Sequence, residues 1–164
     1  FKIMKKIFGL VVMAMSMLFT ANAMASTGVE SVDAVTSTAD YDGDYDGVIS
    51  NVTMNGKSYS DEDATFTIES NVLICDFPQI GKMPGTITVE LPISINEATG
   101  EITATPGTSA GFLTLKVGGK AILYLDSLTN AKVENGTLEF DMAVHGTYLG
   151  IIKFPASFHF KAPK

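Results

Sequence analysis

Thr129-Asn130-Ala131-Lys132-Val133-Glu134-Asn135-Gly136-Thr137-Leu138-Glu139-Phe140-Asp141-Met142 is the stretch whose reading decides the fold. Apolar and polar residues alternate on both sides of Asn135-Gly136, a dipeptide that tolerates the positive φ angles of a type I′ hairpin turn. A two-residue loop sets Val133 against Leu138, Ala131 against Phe140 and Thr129 against Met142 on the dry face, with Lys132 against Glu139 on the wet one. Sliding one strand by a single residue would move every apolar side chain into water, so the pattern specifies its own register.

The same period of two extends outward in both directions. Upstream, a three-residue loop at Gly118-Gly119-Lys120 predicts Val117 opposite Ala121, Leu115 opposite Leu123 and Leu113 opposite Leu125. Downstream, Ile152, Phe154, Ala156, Phe158 and Phe160 alternate with Lys153, Pro155, Ser157, His159 and Lys161; Pro155 has no N–H for a ladder, which predicts an edge or a bulge there. Further back, Ala64, Phe66 and Ile68 alternate with Thr65, Thr67 and Glu69, and Ile87, Val89 and Leu91 with Thr86, Thr88 and Glu90. An apolar stripe at helical spacing is missing after residue 25, and Asn96 to Gly100 supports a short turn at most. Many short strands joined by Gly, Asn and Asp turns predict an all-β chain: one antiparallel meander barrel of about eight strands, since closure removes exposed edges.

The amino-terminal end reads differently. With Met4 taken as the start, Lys5 and Lys6 precede an apolar run from Ile7 to Phe19 that closes at Ala23-Met24-Ala25, the pattern of a cleaved secretory signal peptide over residues 1–25. Thirteen apolar residues fall short of the ~20 that a membrane-spanning helix needs. Residues 26–44, rich in Ser, Thr, Ala and Val, read as a flexible arm, and 45–164 as the barrel. The whole chain carries 11 lysines and 18 acidic residues, a net charge of −7; losing Lys2, Lys5 and Lys6 with the leader leaves 8 against 18, or −10. Such a charge disfavours nucleic acid and anionic membranes as partners. The single Cys75 allows no intramolecular disulfide, and its neighbours Val72, Leu73 and Ile74 predict a buried thiol. A cysteine directly after the leader is missing, so the expectation is an exported protein, periplasmic or secreted, without a lipid anchor.

Candidate chemistry is sparse. Asp42, Asp44 and Asp46, followed by Gly47 and Ile49, match the opening of a D-x-D-x-D-G-x-I calcium loop, in which alternate carboxylates wrap a hard cation. Thr53 stands where the bidentate acid belongs, so any calcium binding is expected to be weak. Asp61-Glu62-Asp63 reads as a solvated acidic turn. Gly107-Thr108-Ser109-Ala110-Gly111 spells the nucleophile elbow G-x-S-x-G, but a hydrolase serine needs a strand before it and a helix after it, and a strand follows Ser109 instead. His145 and His159, the two histidines, fall on the polar phase of their strands, and neither spacing makes a zinc site. The dry phase is the remaining candidate site: Phe66, Ile68, Leu113, Leu115, Leu123, Leu125, Phe140, Met142, Phe154 and Phe158 would line a closed barrel, which is either filled by such residues or holds one small ligand.

From Tyr45-Asp46-Gly47-Val48-Ile49 through Val52 and Asn55-Gly56 to Asp63-Ala64-Thr65-Phe66-Thr67-Ile68, and again at Met83-Pro84-Gly85-Thr86-Ile87-Thr88-Val89, the chain resembles the calycin-like, lipocalin-like β-barrel domains of secreted bacterial proteins. The likeness covers roughly Tyr45 to Phe160 and implies a closed or nearly closed meander barrel; that family brings no defined activity with it. True lipocalins open on Gly-x-Trp and carry a disulfide, whereas this chain has no tryptophan and one cysteine.

These readings lead to a non-enzymatic exported barrel, without a required cofactor, that binds a small apolar or amphipathic ligand. The alternative is a structural or interaction module of the cell envelope whose barrel is packed solid and whose surface meets a protein or glycan. A hydrolase using Ser109 is the remote third reading.

Overall fold

A computed structural model describes residues 40–81, 85–116, 118–148 and 151–163. The expected leader at 1–25 and most of the expected arm at 26–44 lie outside them. Eleven strands follow in order: β1 (Gly43–Met54), β2 (Lys57–Ser58), β3 (Glu62–Glu69), β4 (Val72–Phe77), β5 (Gly85–Pro92), β6 (Ser94–Ile95), β7 (Ile102–Thr103), β8 (Ser109–Leu115), β9 (Lys120–Glu134), β10 (Thr137–Tyr148) and β11 (Ile152–Pro163). Helices are absent among the described residues. Neighbours run β11-β10-β9-β8-β5-β4-β3-β1, and β11 pairs back onto β1, which closes an eight-stranded antiparallel barrel of near-meander order. β2 hangs from the end of β1, and the small β6-β7 hairpin is the one excursion between β5 and β8. Within that excursion Asn96 to Gly100 forms the expected turn, with the Gly100 N–H donating to the Asn96 carbonyl at 2.7 Å.

The alternating patterns point as the sequence predicts. Phe66 and Ile68 of β3, Val89 and Leu91 of β5, Leu123 and Leu125 of β9, Phe140 and Met142 of β10, and Phe158 and Phe160 of β11 all face the core. Phenylalanines fill its centre: the Phe66 ring stands edge-on to Phe140 at 5.0 Å between centroids and lies 4.5 Å from Phe160, and Phe77 stands edge-on to Phe158 at 4.9 Å. Such pairs add about 0.5–1.5 kcal/mol each beyond the area they bury.

Closure depends on a close approach. A Cβ on Gly47 of β1 would collide with the Ala162 Cβ and the Lys161 carbonyl of β11, so glycine lets the two strands meet. A bulge at Asn51 (φ 52°) then shifts the pairing from Ser50↔His159 to Thr53↔Ser157. Pro155 lies one residue beyond the last pair, Met54↔Ala156. Its carbonyl still accepts from the Asn55 N–H at 3.0 Å, so its missing donor points to where the ladder ends, as its chemistry requires.

Two registers differ from expectation. In the β9-β10 hairpin, Asn135 (φ 53°) and Gly136 (φ 77°) make the type I′ turn, and Val133↔Leu138 and Lys132↔Glu139 pair as predicted. Beyond them β9 carries an extra residue, so Thr129 pairs with Asp141 rather than Met142, and a second one near Asp126 brings Leu125 opposite Val144. The two bulges flip the side-chain phase of β9 and then restore it, leaving Leu128 half-buried between the inward runs 121–125 and 131–133. In the β8-β9 hairpin the three-residue loop lies two residues earlier than expected: Leu113 pairs with Ala121 and Thr114 with Lys120. The Leu115 N–H donates to the Gly119 carbonyl at 3.0 Å, and the Leu115 carbonyl accepts from the Gly118 N–H at 3.0 Å, which closes the loop at Gly118 (φ 95°). That register differs from the predicted one by four residues, an even number, so the faces are unchanged.

Replacing Phe140 with Ala removes a fully buried ring that touches Phe66, Phe158 and Phe160. It should cost about 3–5 kcal/mol, measured as a fall in the urea midpoint at unchanged m-value. A loss below about 1 kcal/mol would mean that the rings do not form one packed unit.

Candidate functional site

The ten predicted lining residues divide along the barrel axis. Phe66, Ile68, Leu113, Leu123, Leu125, Phe140, Met142 and Phe158 are buried, whereas Leu115 and Phe154 are half-buried beside Leu113, Ala121 and Leu123, in a small apolar cluster of their own with Ile87. The interior void among Val52, Phe77, Val89, Leu123, Met142 and Phe158 amounts to about 20 Å³. Sites that enclose a small molecule run to about 300–1,000 Å³, and one water needs roughly 10–15 Å³. Around that void the described inward side chains therefore leave no room for a small molecule.

The three aspartates of the calcium-loop pattern do not share a loop: Asp42 precedes β1. Asp44 and Asp46 belong to the extended β1, which puts alternate side chains on its outer face about 6.6 Å apart instead of wrapping them around a point. Each is held by the threonine directly across the ladder: Thr67 Oγ1 donates to Asp44 at 2.7 Å and Thr65 Oγ1 to Asp46 at 2.6 Å. Asp42 accepts from the Ser70 N–H at 3.3 Å in the β3-β4 turn. Among the described residues no three His, Cys, Asp or Glu side chains gather in a metal-holding group.

Ser109 opens β8 opposite Tyr124 of β9, and Tyr124 in turn sits opposite His145 of β10. Serine and histidine are thus two strands apart, about 9–10 Å at the usual strand spacing, with Tyr124 on the strand between them. Sequence reasoning missed the partners of both histidines. Asp126, on the outward phase beside the bulge, meets His145 Nδ1 at 2.6 Å, and Tyr124 lies against the same imidazole with ring centroids 5.7 Å apart. Asp141 meets His159 Nδ1 at 2.8 Å and accepts from the Asn130 amide at 2.7 Å. The one available signal was Asn130 itself, since Asn is a residue that tolerates a bulge's positive φ, here 51°. The Asn130 amide, with His159 behind it, holds the Asp141 carboxyl below its usual range, and the Lys161 ammonium does the same for Glu139. Both histidines are oriented by carboxylates on the outer face, and Ser50 of β1 stands directly opposite His159.

The outer face also carries a groove of about 800 Å³ over β1, β3 and β4. β3 and β4 pair only at Glu69↔Val72, Ile68↔Leu73 and Thr67↔Ile74. Beyond that point β3 stays with β1, through Thr65↔Asp46 and Asp63↔Val48, while β4 stays with β5, through Asp76↔Thr88 and Phe77↔Ile87. The wall is therefore split, and the inward-facing Ala64 and Cys75 reach the groove between the parted strands. Cys75 is still 2% exposed, and burial, reinforced by the neighbouring Asp76 carboxylate, pushes its thiol up to about 12.

Comparison with known protein families, curated proteins and solved structures finds no match to this chain.

Two measurements check these environments. A thiol raised from 9.0 to about 12 holds about a thousandfold less thiolate at pH 8, so iodoacetamide should alkylate Cys75 in the native protein at least a hundredfold more slowly than in urea; similar rates would show an open thiol. A carboxyl lowered in the folded state stabilises above its unfolded pKa, and that stability is lost as pH falls through the folded value. Asn130→Ala should accordingly raise the NMR titration midpoint of Asp141 toward the ordinary carboxylate range and move its share of acid destabilisation to higher pH. An unmoved midpoint would remove the assigned cause.

Proposed function

We propose that the chain is an exported, non-enzymatic barrel of the calycin-like type that serves the cell envelope as a structural or interaction module through its outer surface. The observation that carries this reading is the filled interior: a void of about 20 Å³ accommodates a water molecule, not a metabolite. A buried ligand would have to displace packed phenylalanines such as Phe140 and Phe158, each worth several kcal/mol in its place. The Lys-Lys leader and its Ala-Met-Ala end support export. The closed meander supports the calycin-like likeness. Its outer face carries the groove over β3 and β4 and the oriented histidines. A net charge of −10 after cleavage directs the choice of partner toward neutral or cationic surfaces.

The test is native mass spectrometry of the protein recovered from its own compartment. The expected mass is that of the bare chain from Ser26, and titration with 1-anilinonaphthalene-8-sulfonate should give no saturable binding. Phe158→Ala, which opens a cavity, should bind an apolar probe that the parent excludes. A stoichiometric small-molecule adduct on the parent protein would restore the ligand-carrier reading and sink this one.

A further inference from the structure

The split in the wall between β3 and β4 is an unusual feature for a closed barrel. A barrel exists to abolish strand edges, and here two of them face each other across an open groove. The hairpin that joins them has a two-residue turn, Ser70 (φ 50°) and Asn71 (φ 63°), so Glu69 and Val72 form a hydrogen-bonded pair and the alternation runs on from there. Counted from that turn, Asp63 and Thr65 of β3 and Asp76 of β4 direct their backbone N–H and C=O groups into the split. All three residues are exposed. The rows of donors and acceptors thus stand open to water on both banks, along about five residues of β3.

We propose that this split is an acceptor site for one extended peptide segment of a partner protein, cationic on its outward side chains and small on its inward ones, which docks as an added strand between β3 and β4. The inference rests on the surface-module reading above and names the surface. Main-chain bonds to both banks supply the attachment, the mode by which peptides commonly add to sheet edges. Two features of the groove select the side chains. Its rim bears Asp46, Asp63 and Asp76, with no lysine among its lining residues, so an occupant carrying Lys or Arg on its outward phase meets complementary charge. Its floor is Ala64 and Cys75, so the inward phase must be small, such as Ala, Val or Thr. The chain's own segment 26–39 is a poor occupant, because its charges, Glu30 and Asp33, are acidic and three residues apart, so an extended strand would set one against the rim carboxylates and the other over the apolar floor.

The experiment uses chain 26–164 and the fluorescein-labelled, amidated probe peptide Lys-Ala-Lys-Val-Lys-Ala-Lys, with two controls: the same peptide with Pro in place of Val, and its all-Glu counterpart. Saturable anisotropy at 0.15 M salt is expected with the first alone. On its addition the Thr65 and Asp76 amides should exchange at least tenfold more slowly. The double substitution D63K/D76K should weaken binding at least tenfold while leaving the melting temperature within a few degrees. Equal binding by the Pro peptide would reduce the contact to charge alone and overturn strand addition. No binding, or protection on another face, would overturn the acceptor site. Slow exchange of Thr65 and Asp76 before any peptide is added, lost in chain 40–164, would assign the split to the chain's own arm and overturn the partner. None of these failures yields a small-molecule adduct, so each is distinct from failure of the surface-module reading.

Discussion

The return of β11 onto β1 is the constraint on which the rest depends. A meander that did not close would leave two long edges and expose the side chains now gathered around Phe66, Phe140 and Phe160. Closure demands that β1 and β11 approach within backbone contact, and Gly47 provides the missing Cβ that makes the approach feasible beside Ala162. With the ends joined, Phe66 meets Phe140, Phe158 and Phe160, so these rings form a single aromatic centre rather than separate pairs.

The bulges shape what the outer face of the barrel presents. A regular β9 would have run one phase from Leu125 to Val133 and set Ser127 and Thr129 inward. The extra residues near Asp126 and Asn130 instead bring Leu128 inward and Thr129 outward, while Asp126 and Asn130 keep the outward phase on which they orient His145 and Asp141. The ladder thereby gives up a few regular pairs and gains fixed polar groups on its surface, a common use of bulges. The outer face of β1 follows the same economy on regular strands, since Asp44 and Asp46 are tied down by Thr67 and Thr65 directly opposite.

The β3-β4 split and the tight β1-β11 junction are two answers to one geometrical problem. Strands in a barrel tilt and twist, and eight of them must return to the first with hydrogen bonds intact. At β1-β11 the mismatch is absorbed by a bulge at Asn51; at β3-β4 the strands part instead. Ile80, in the loop after β4, is buried in the main core, so the core stays covered at that point even though the wall does not.

Much of this was legible in the residues. Period-two alternation at Ala64–Ile68, Ile87–Leu91 and Ile152–Phe160 named the inward faces, because in a strand the face is a property of position alone. Asn135-Gly136 announced its turn, because few other dipeptides accept its two positive φ angles. Gly118-Gly119 announced a turn but not its position, since registers two or four residues apart bury the same faces and local pattern cannot choose between them. Asp42, Asp44 and Asp46 had the spelling of a cation loop, yet tertiary pairing drew Asp44 and Asp46 out straight, because the hydrogen bonds that β1 makes to β3 and β11 hold its backbone extended. Whether the inward residues enclose a ligand or one another could not be read from a list of apolar positions, since volume depends on how opposite walls interlock. The sequence by itself determined strands, faces and an acidic surface; only closure in three dimensions decided that the interior is full and that the wall is split beside β3, because both depend on contacts between residues distant along the chain.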